Sequence, residues 1–429
     1  MPRSAGTLAL FALLALLPGP LLAQTSSVQD DVRRLAQHPT VRKAMALLES
    51  TDDVTMADLV ELTQIPAPPF GEATRGARVR EKMLELGMDS VWIDEIGNVV
   101  GLRKGTGRGE IVVIAGHLDT VFPEGTDVRV RTRGDTLFAP GVSDDTRGVA
   151  AVLALARAMR DADVRSDADI WFVANVGEEG LGDLRGVKHL FRVGGPRIGA
   201  FISLDGSGAE GITHQGLGSH RYRVVFRGPG GHSWGAFGLA NPAHALGRAI
   251  RNFDEVGDSL TASGPRTSYN VGVLRGGTSV NSIPFEVSMD VDMRSESPAS
   301  LERIDAALHD AVSRAVAEEN ADRRGGQEVT ADVELIGDRP SGEVPEDTPL
   351  VQRAIAVTRL LGLEPRLGRG STDSNIPISL GIPAITIGGG GVGGEGHSLH
   401  EYYINRNGPL GIQRALLILL AQAGLAVAS

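Results

Sequence analysis

The sequence of 429 residues predicts an α/β protein whose mainly parallel sheet has helices on both faces and carries an inserted β-α-β-β-α-β domain. Three observations predict this architecture. Between residues 66 and 216, apolar runs typical of strands alternate with amphipathic helical patterns. Over residues 217–330 the order changes to strand, helix, two strands, helix and strand. After residue 345 the first pattern resumes, which indicates that the middle part is inserted into a larger domain.

The first 23 residues have the pattern of a signal peptide. Arg3 precedes an apolar run from Leu8 to Leu17, and the small residue Ala23 follows a Pro-Gly-Pro break. This run is far shorter than the ~20 residues that span a bilayer. We therefore expect residues 1–23 to be removed, the mature protein to be secreted or periplasmic, and no membrane span to follow. An uncleaved N-terminal anchor is the alternative.

The first part of the larger domain is expected to cover residues 24–216. Apolar residues at three- to four-residue spacing predict its helices, and short apolar runs predict its strands. The predicted helices are 28–50, 54–63, 73–86, 147–160 and 183–193, and the strands lie near 91–101, 111–115, 170–176 and 199–204. Ligands of such sheets bind at the carboxyl ends of the strands.

The inserted domain is expected to cover residues 217–330, and residues 331–429 are expected to complete the larger domain. In the insert we predict strands 220–227, 269–275, 285–293 and 328–336 and helices 241–254 and 298–319. After it we predict helix 348–361, strand 382–387 and helix 408–426. Glycine-rich stretches at 206–218 and 324–326 are expected to act as hinges.

Composition excludes several classes of protein. With 41% apolar and 22% charged residues the chain is neither disordered nor collagen-like. Because it has no Cys, any metal ion must be held by His and carboxylate groups. The formal charge of −11 predicts no nucleic-acid partner.

The first polar motif is Gly116-His117-Leu118-Asp119, directly after strand 111–115. In an extended segment His117 and Asp119 face the same way, so the carboxylate can accept a hydrogen bond from the far ring nitrogen. The other nitrogen is then available to a metal ion. Taken alone, such a triplet is as often a surface loop.

Carboxylates also follow other predicted strands. Asp144 and Asp145 stand at a helix start, where a cap is the commonest role. Glu178 and Glu179 follow the very apolar strand 170–176, and two buried carboxylates are costly without a cation.

Asp205 ends strand 199–204, and His397 follows strand 382–387. Together with the preceding motifs these residues suit two zinc ions about 3.5–4 Å apart, bridged by one carboxylate and a water.

The segments GHLDTVF, APGVSDDTRG, GEEG, SLDG and GHSLHE give the sequence a clear resemblance. It resembles the dinuclear-zinc exopeptidase and deacylase family that includes peptidase T, glutamate carboxypeptidase, aminoacylase and acetylornithine deacetylase. The resemblance implies a zinc-exopeptidase-like fold with a ferredoxin-like lid domain. It also implies that His117 and Asp205 bind one zinc, that Glu179 and His397 bind the other, and that Asp144 bridges them. Co²⁺ or Mn²⁺ are alternative metals.

The same resemblance implies roles in catalysis and substrate binding. Glu178 matches the general base, and Asp119 matches the acid that orients the first His. His232 matches a lid residue that stabilises the oxyanion, often across a dimer interface, so a homodimer through the lid is expected. Four further positions match residues that bind the substrate, namely Asn281, Arg294, Gly370 and Ser371. A turn amide and a surface arginine are the plain alternatives for Asn281 and Arg294.

The function expected from these residues is an exported metallopeptidase. It would cleave an amide bond in small peptides, as an exopeptidase or dipeptidase, with a hydroxide bound to two metal ions. An N-acyl-amino-acid deacylase of the same family is the main alternative. A non-catalytic exported binding protein that keeps the fold is a minor one.

Overall fold

The computed structural model describes residues 20–426, with side chains from residue 27 onward. Residues 1–19 of the predicted signal peptide lie outside the described residues. Within residues 20–426, no helix combines the length and the apolar character needed to cross a bilayer.

The helices and strands before the lid agree broadly with those predicted. The helices are α1 (Pro20–Gln37), α2 (Pro39–Ser50), α3 (Asp52–Thr63), α4 (Ala73–Glu85), α5 (Thr146–Asp161) and α6 (Arg185–Leu190). The strands are β1 (Ser90–Ile93), β2 (Val99–Arg103), β3 (Ile111–His117), β4 (Arg131–Arg133), β5 (Thr136–Phe138), β6 (Ile170–Asn175), β7 (Ile198–Leu204) and β8 (Gly211–Gly216).

The lid and the second part of the larger domain follow. The lid contains β9 (Gly218–Arg227), β10 (Gly231–His232), α7 (Pro242–Thr261), β11 (Thr267–Gly276), β12 (Ser282–Ile283), β13 (Glu286–Ser295), α8 (Pro298–Asp322) and β14 (Thr330–Arg339). The chain then forms β15 (Gly342–Glu343), α9 (Pro349–Leu360), β16 (Arg366–Gly370), α10 (Asn375–Ser379), β17 (Ala384–Ile387), β18 (Val392–Gly394), β19 (Tyr402–Ile404) and α11 (Gly408–Ala423).

The large sheet has the strand order β1-β2-β6-β3-β7-β17-β8-β15, with β16 also paired to β8. Its centre, β6-β3-β7-β17, is parallel, whereas β1, β2 and β15 pair antiparallel at the edges. The central strands are buried and apolar, as expected when helices cover a parallel sheet. The predicted α/β fold is thus confirmed; its sheet is mixed, with parallel pairing at the centre and between β16 and β8.

Three predicted elements are corrected by local backbone chemistry. The single helix 28–50 is divided into α1 and α2, because Pro39 has no N–H and keeps His38 extended. The strand 91–101 is instead the hairpin of β1 and β2, which turns at Gly97 with φ +110°. The helix 183–193 is shorter because Asp183 and Leu184 adopt left-handed φ values.

The lid forms an antiparallel sheet of order β11-β13-β9-β14, against which α7 and α8 pack. Along β13 every second side chain is buried, which places Val287, Met289, Val291 and Met293 in the lid core. The predicted β-α-β-β-α-β order is therefore confirmed. The lid sheet continues past the predicted boundary at residue 330, because β14 pairs with β9 as far as Arg339.

The chain passes between the two domains through two adjacent crossing segments, Leu217 and Pro340–Ser341. Asn375 donates from Nδ2 to the carbonyl oxygens of Leu217, at 2.8 Å, and Pro340, at 3.0 Å. The predicted hinge at 206–218 is in large part strand β8, and the glycines at 324–326 turn the chain inside the lid. The glycine-rich segment that contains β8 pairs with β15 and β16 in the large sheet, whereas its composition indicated a hinge.

Helix α5 is tied to the second part of the chain by Arg147, which is fully buried. Its Nε donates to the Gly389 carbonyl at 2.8 Å, and Nη2 donates to the Gly408 carbonyl at 3.0 Å. Its guanidinium also lies 5.2 Å from the centre of the Tyr403 ring. This one side chain therefore satisfies buried carbonyls of two loops that follow β17 and β19.

We predict that Arg147→Met lowers the free energy of unfolding by about 3 kcal/mol, because two buried carbonyls lose their donors. Arg160→Met, at an exposed position of the same helix, should change it by less than about 0.5 kcal/mol. Urea denaturation of both metal-free variants measures the difference. Equal stability of the two variants would contradict this role of Arg147.

Candidate metal centre

Three neighbouring strands deliver polar side chains to one edge of the large sheet. His117 is the last residue of β3, Asp205 follows β7, and Glu178 and Glu179 follow β6. Because these strands are parallel, their carboxyl ends lie at the same edge, where α/β proteins bind ligands. The start of α5 brings Asp144 to the same place.

The structure brings together all five residues predicted to bind metal. The ligand atoms form two groups, each with its members within 4.8 Å of one another: His117, Asp144 and Asp205, and Asp144, Glu179 and His397. The shared residue, Asp144, has Oδ1 3.1 Å from His117 Nε2 and Oδ2 3.1 Å from His397 Nε2. Glu179 Oε1 also lies 3.1 Å from His397 Nε2. Asp144 thus contributes a carboxylate oxygen to each of the two groups.

The donor atoms fit divalent metal ions. His117 Nδ1 donates to the main-chain carbonyl of Asp119 at 3.0 Å, so Nε2 is the ring nitrogen that faces the carboxylates. Among the described residues this buried Nε2 atom has no hydrogen-bond partner. Nitrogen and carboxylate donors without sulfur suit Zn²⁺, Co²⁺ and Mn²⁺.

The pKa values reflect carboxylates crowded away from water. Burial and the charge of Asp144 raise the pKa of Asp205 to about 7. Burial opposes the charged form of His117, but Asp145 and Asp144 hold the pKa of that ring well above its usual value. Hydrogen bonds to Asp144 and Glu179 raise the pKa of His397 to about 10. Protons on the two rings therefore compensate charge that metal ions would otherwise compensate.

Asp119 holds the turn that carries Glu178 and Glu179. Its fully buried carboxylate accepts hydrogen bonds from their backbone N–H groups at 3.0 and 2.7 Å. The sequence spacing predicted a hydrogen bond between this carboxylate and the His117 ring, and that prediction is wrong. Oδ1 of Asp119 lies 3.7 Å from His117 Nδ1, and the main-chain carbonyl of Asp119 accepts the hydrogen bond from Nδ1 instead. Its two oxygens are already engaged by the amides.

Asp145 is a second buried carboxylate that positions the site. It caps α5 by accepting from Gly148 N at 3.0 Å, and it also accepts from His117 N at 2.9 Å and Gly206 N at 3.1 Å. The cap was a reading the sequence left open. Its hydrogen bonds to the backbone of His117 and of Gly206, the residue after Asp205, could be found only in the structure.

Glu401 is a third such carboxylate, and the sequence analysis assigned it no role. It accepts hydrogen bonds from the backbone N–H groups of Gly141, Ser143 and Asp144 at 2.8, 2.8 and 2.9 Å. It thereby fixes the loop that carries Asp144. Its spacing from His397 was the signal that could have drawn attention to it.

A cavity of about 350 Å³ lies beside the candidate metal centre, between the two domains. On the lid side it is lined by Arg221, Arg294 and Arg339. The Nε atoms of Arg221 and Arg294 each donate to Asp292 at 2.9 Å. Arg294 was predicted to bind substrate; Arg221 and Arg339 were missed, because an arginine near a strand end carries no signal of its own.

Burial raises the pKa of Glu178 well above its usual value, although the Arg339 guanidinium opposes this. Arg339 Nη1 lies 3.1 Å from Glu178 Oε1. A carboxylate with raised proton affinity beside the candidate metal centre can take up and release a proton during a reaction.

The remaining predicted residues are placed differently. Ser371 lines the cavity, whereas Gly370 does not and instead accepts a hydrogen bond from Leu217 N at 2.7 Å. His232 and Asn281 are exposed on the lid and lie close together, since β10 pairs with β12 and Ser233 N donates to the Asn281 carbonyl at 2.9 Å. Neither of these two residues lines the cavity of its own chain.

Comparison with known proteins agrees with the geometry. Residues 113–420 match the family described as Peptidase family M20/M25/M40. The chain is 27% identical over 346 residues to a putative LysW-lysine/LysW-ornithine hydrolase of Pyrococcus abyssi, covering 80% of this chain and 87% of that protein. It is 26% identical over 349 residues to Carboxypeptidase G2 of a Pseudomonas species, covering 77% and 79%.

Solved structures share the fold. The dipeptidase Dug1p from Saccharomyces cerevisiae superposes with a TM-score of 0.70 and 15% identity, over 89% of this chain and 98% of that chain. With the family match over residues 113–420, the conclusion is that this chain belongs to Peptidase family M20/M25/M40 and is a metal-dependent hydrolase of peptide or related amide bonds.

Proposed function

We propose that the protein is an exported exopeptidase or dipeptidase that hydrolyses small peptides with two divalent metal ions, zinc before Co²⁺ or Mn²⁺. The observation that carries this proposal is the pair of ligand groups sharing Asp144, with a buried carboxylate and a cavity beside them. His117 and Asp205 would hold one ion, Glu179 and His397 the other. When bound, the ions polarise the substrate carbonyl and lower the pKa of the attacking water.

In this proposal Glu178 is the general base. Its carboxylate takes the proton from the attacking water and passes it to the leaving nitrogen, so that an amine leaves instead of an amide anion. Its position supports this role, because a carboxylate oxygen of Glu178 lies within 4.8 Å of ligand atoms of His117 and Glu179.

Arg294 and Ser371 are proposed to hold the substrate. Arg294 donates to Asp292 through Nε, and its two terminal nitrogens make no protein hydrogen bond among the described residues. A guanidinium edge of this kind suits a carboxylate. Ser371, which follows β16 in the larger domain, also lines the cavity and offers a hydroxyl.

We propose that a homodimer forms through the lid and that His232 and Asn281 act at the partner's site. Their exposure and their distance from the cavity of their own chain support this arrangement. A donor at a second chain's cavity would stabilise the oxyanion of the tetrahedral intermediate. Export is proposed from Arg3, the apolar run and Ala23 alone.

The second candidate function is an N-acyl-amino-acid deacylase, since it requires the same metal ligands and base. The two functions differ in the group on the carbonyl side of the scissile bond, which is an aminoacyl residue in a dipeptide and an acyl group without an amine in an N-acyl amino acid. The minor alternative, a non-catalytic binding protein, is not supported, because the chain belongs to a family of metal-dependent hydrolases and retains Glu178 and all five candidate ligands.

We expect the protein, reconstituted with zinc, to hold about two ions per chain and to lose hydrolysis on chelation. Zn²⁺, Co²⁺ or Mn²⁺ should restore activity. Asp205→Asn and His397→Ala should each lower the metal content towards one ion, because they remove ligands of different groups. Elemental analysis and a dipeptide assay check this. One ion per chain in the fully active protein would contradict the dinuclear proposal.

We expect Glu178→Gln to lower kcat about 1,000-fold while the metal content is unchanged, because the amide cannot accept the proton. The matched control is Glu343→Gln, at an exposed position of β15, which should keep wild-type kinetics. Steady-state kinetics with elemental analysis measure both effects. Full activity of E178Q would refute the assigned base.

A peptide panel separates the candidate functions. We expect free dipeptides to be cleaved and carboxyl-terminal amidation to lower kcat/KM about 10- to 100-fold, because Arg294 loses its anionic partner. In Arg294→Met this discrimination should disappear, and in the matched control Arg275→Met it should persist. Cleavage of N-acyl amino acids alone would establish the deacylase instead. Cleavage of no substrate in the panel would reject both.

A further inference from the structure

Arg339 occupies an unusual place in the fold. It is the last residue of β14, directly before the crossing segment Pro340–Ser341, and it pairs with Ser219 beside the other crossing segment. The side chain is nevertheless buried, with only 6% of its surface exposed. A buried guanidinium must have hydrogen-bond acceptors, and for Arg339 one of them is a carboxylate.

That partner is Glu178. Arg339 Nη1 lies 3.1 Å from Glu178 Oε1, and Nη2 donates to the main-chain carbonyl of the same residue. Nη1 also donates to Ser371 Oγ at 3.2 Å. One planar group therefore holds both the side chain and the backbone of Glu178. Two contacts of this kind restrict the rotation of the carboxylate as well as its position.

Two further contacts join the lid to the same segment, which we call the base loop (residues 178–183). Arg221 Nη1 donates to the Gly180 carbonyl at 2.6 Å. The backbone N–H of Asp338 donates to Asp183 Oδ1 at 2.8 Å. The ends of β9 and β14 thus contact the base loop at three points, and the Arg339 contact is the one that reaches the reactive carboxylate.

We propose that Arg339 is a positioning residue that fixes Glu178 from the lid, so that the orientation of the base depends on the seating of the lid on the base loop. This inference rests on the proposed function, in which Glu178 is the base. Arg339 does not accept or donate the transferred proton. It holds Oε1 and thereby leaves Oε2, which makes no protein hydrogen bond among the described residues, for proton transfer.

The test compares Arg339→Met, which keeps the length and loses the donors, with Arg339→Lys, which keeps the charge. Arg223→Met is the matched control, because Arg223 lies on β9 and pairs with Asp290 inside the lid. For R339M we expect kcat to fall about 100-fold, because a misplaced catalytic group loses this much. KM should change less than about 3-fold and the metal content should not change. R339K should lie between R339M and wild type.

Hydrogen–deuterium exchange supplies a readout that needs no substrate. R339M should exchange faster than wild type over residues 178–183, and R223M should not. Unchanged kcat in R339M, or a raised KM with unchanged kcat, would overturn the proposal; the latter would make Arg339 a substrate ligand. Loss of metal from R339M would also overturn it. If R339M does not fold, R339K decides by the same criteria.

The outcomes separate this inference from the proposed function. If E178Q is inactive and R339M is fully active, only the role of Arg339 fails. If wild type cleaves nothing in the panel, the proposed function fails, and exchange over residues 178–183 still decides whether Arg339 fixes the base loop.

Discussion

The crowding of carboxylates at one edge of a parallel sheet is the constraint on which the site depends. Strands β3, β6 and β7 end at the same edge, where the loops after β6 and β7 bring Glu178, Glu179 and Asp205, and the start of α5 brings Asp144 close to them. Such a concentration of negative charge is costly away from water unless cations compensate it. His117 and His397 supply part of the compensation, and the donor set is suited to divalent ions for the remainder.

A second set of carboxylates keeps the first in place. Asp119, Asp145 and Glu401 do not face the cavity; each accepts hydrogen bonds from backbone N–H groups of loops that carry the candidate ligands. Each of these carboxylates accepts hydrogen bonds from two or three amides, so both of its oxygens have partners without a metal ion. The two sets therefore differ in their partners. Carboxylates that accept hydrogen bonds from backbone amides fix the loops, and carboxylates that lie beside histidine nitrogens remain available to cations.

The lid places positively charged side chains opposite these carboxylates, on the other side of the cavity. Its sheet directs Arg221, Arg294 and Arg339 towards the cavity, and one of them reaches Glu178. Since Asn375 holds both crossing segments together, the lid is attached to the larger domain by closely spaced contacts. The cavity therefore has carboxylates on the side of the larger domain and guanidinium groups on the side of the lid.

The sequence by itself determined the fold class, the inserted domain and the set of residues that gather at the site. Apolar runs mark buried strands, and polar groups directly after such strands must meet at one edge when the strands are parallel. Pro39 and Gly97 also carried local signals that divide predicted elements, although the periodic pattern concealed them.

Only the tertiary structure decided which carboxylates face the cavity and which fix a loop by accepting hydrogen bonds from its backbone N–H groups. Asp119 was expected to contact the His117 ring, but its oxygens are engaged by amides from a loop far away in the sequence. The role of Arg339 had no signal in the sequence, and that of Glu401 had only its spacing from His397, because their partners lie on other elements and a single Arg or Glu has no periodic pattern. Contacts of this kind depend on how domains and loops pack, and one-dimensional spacing does not encode that information.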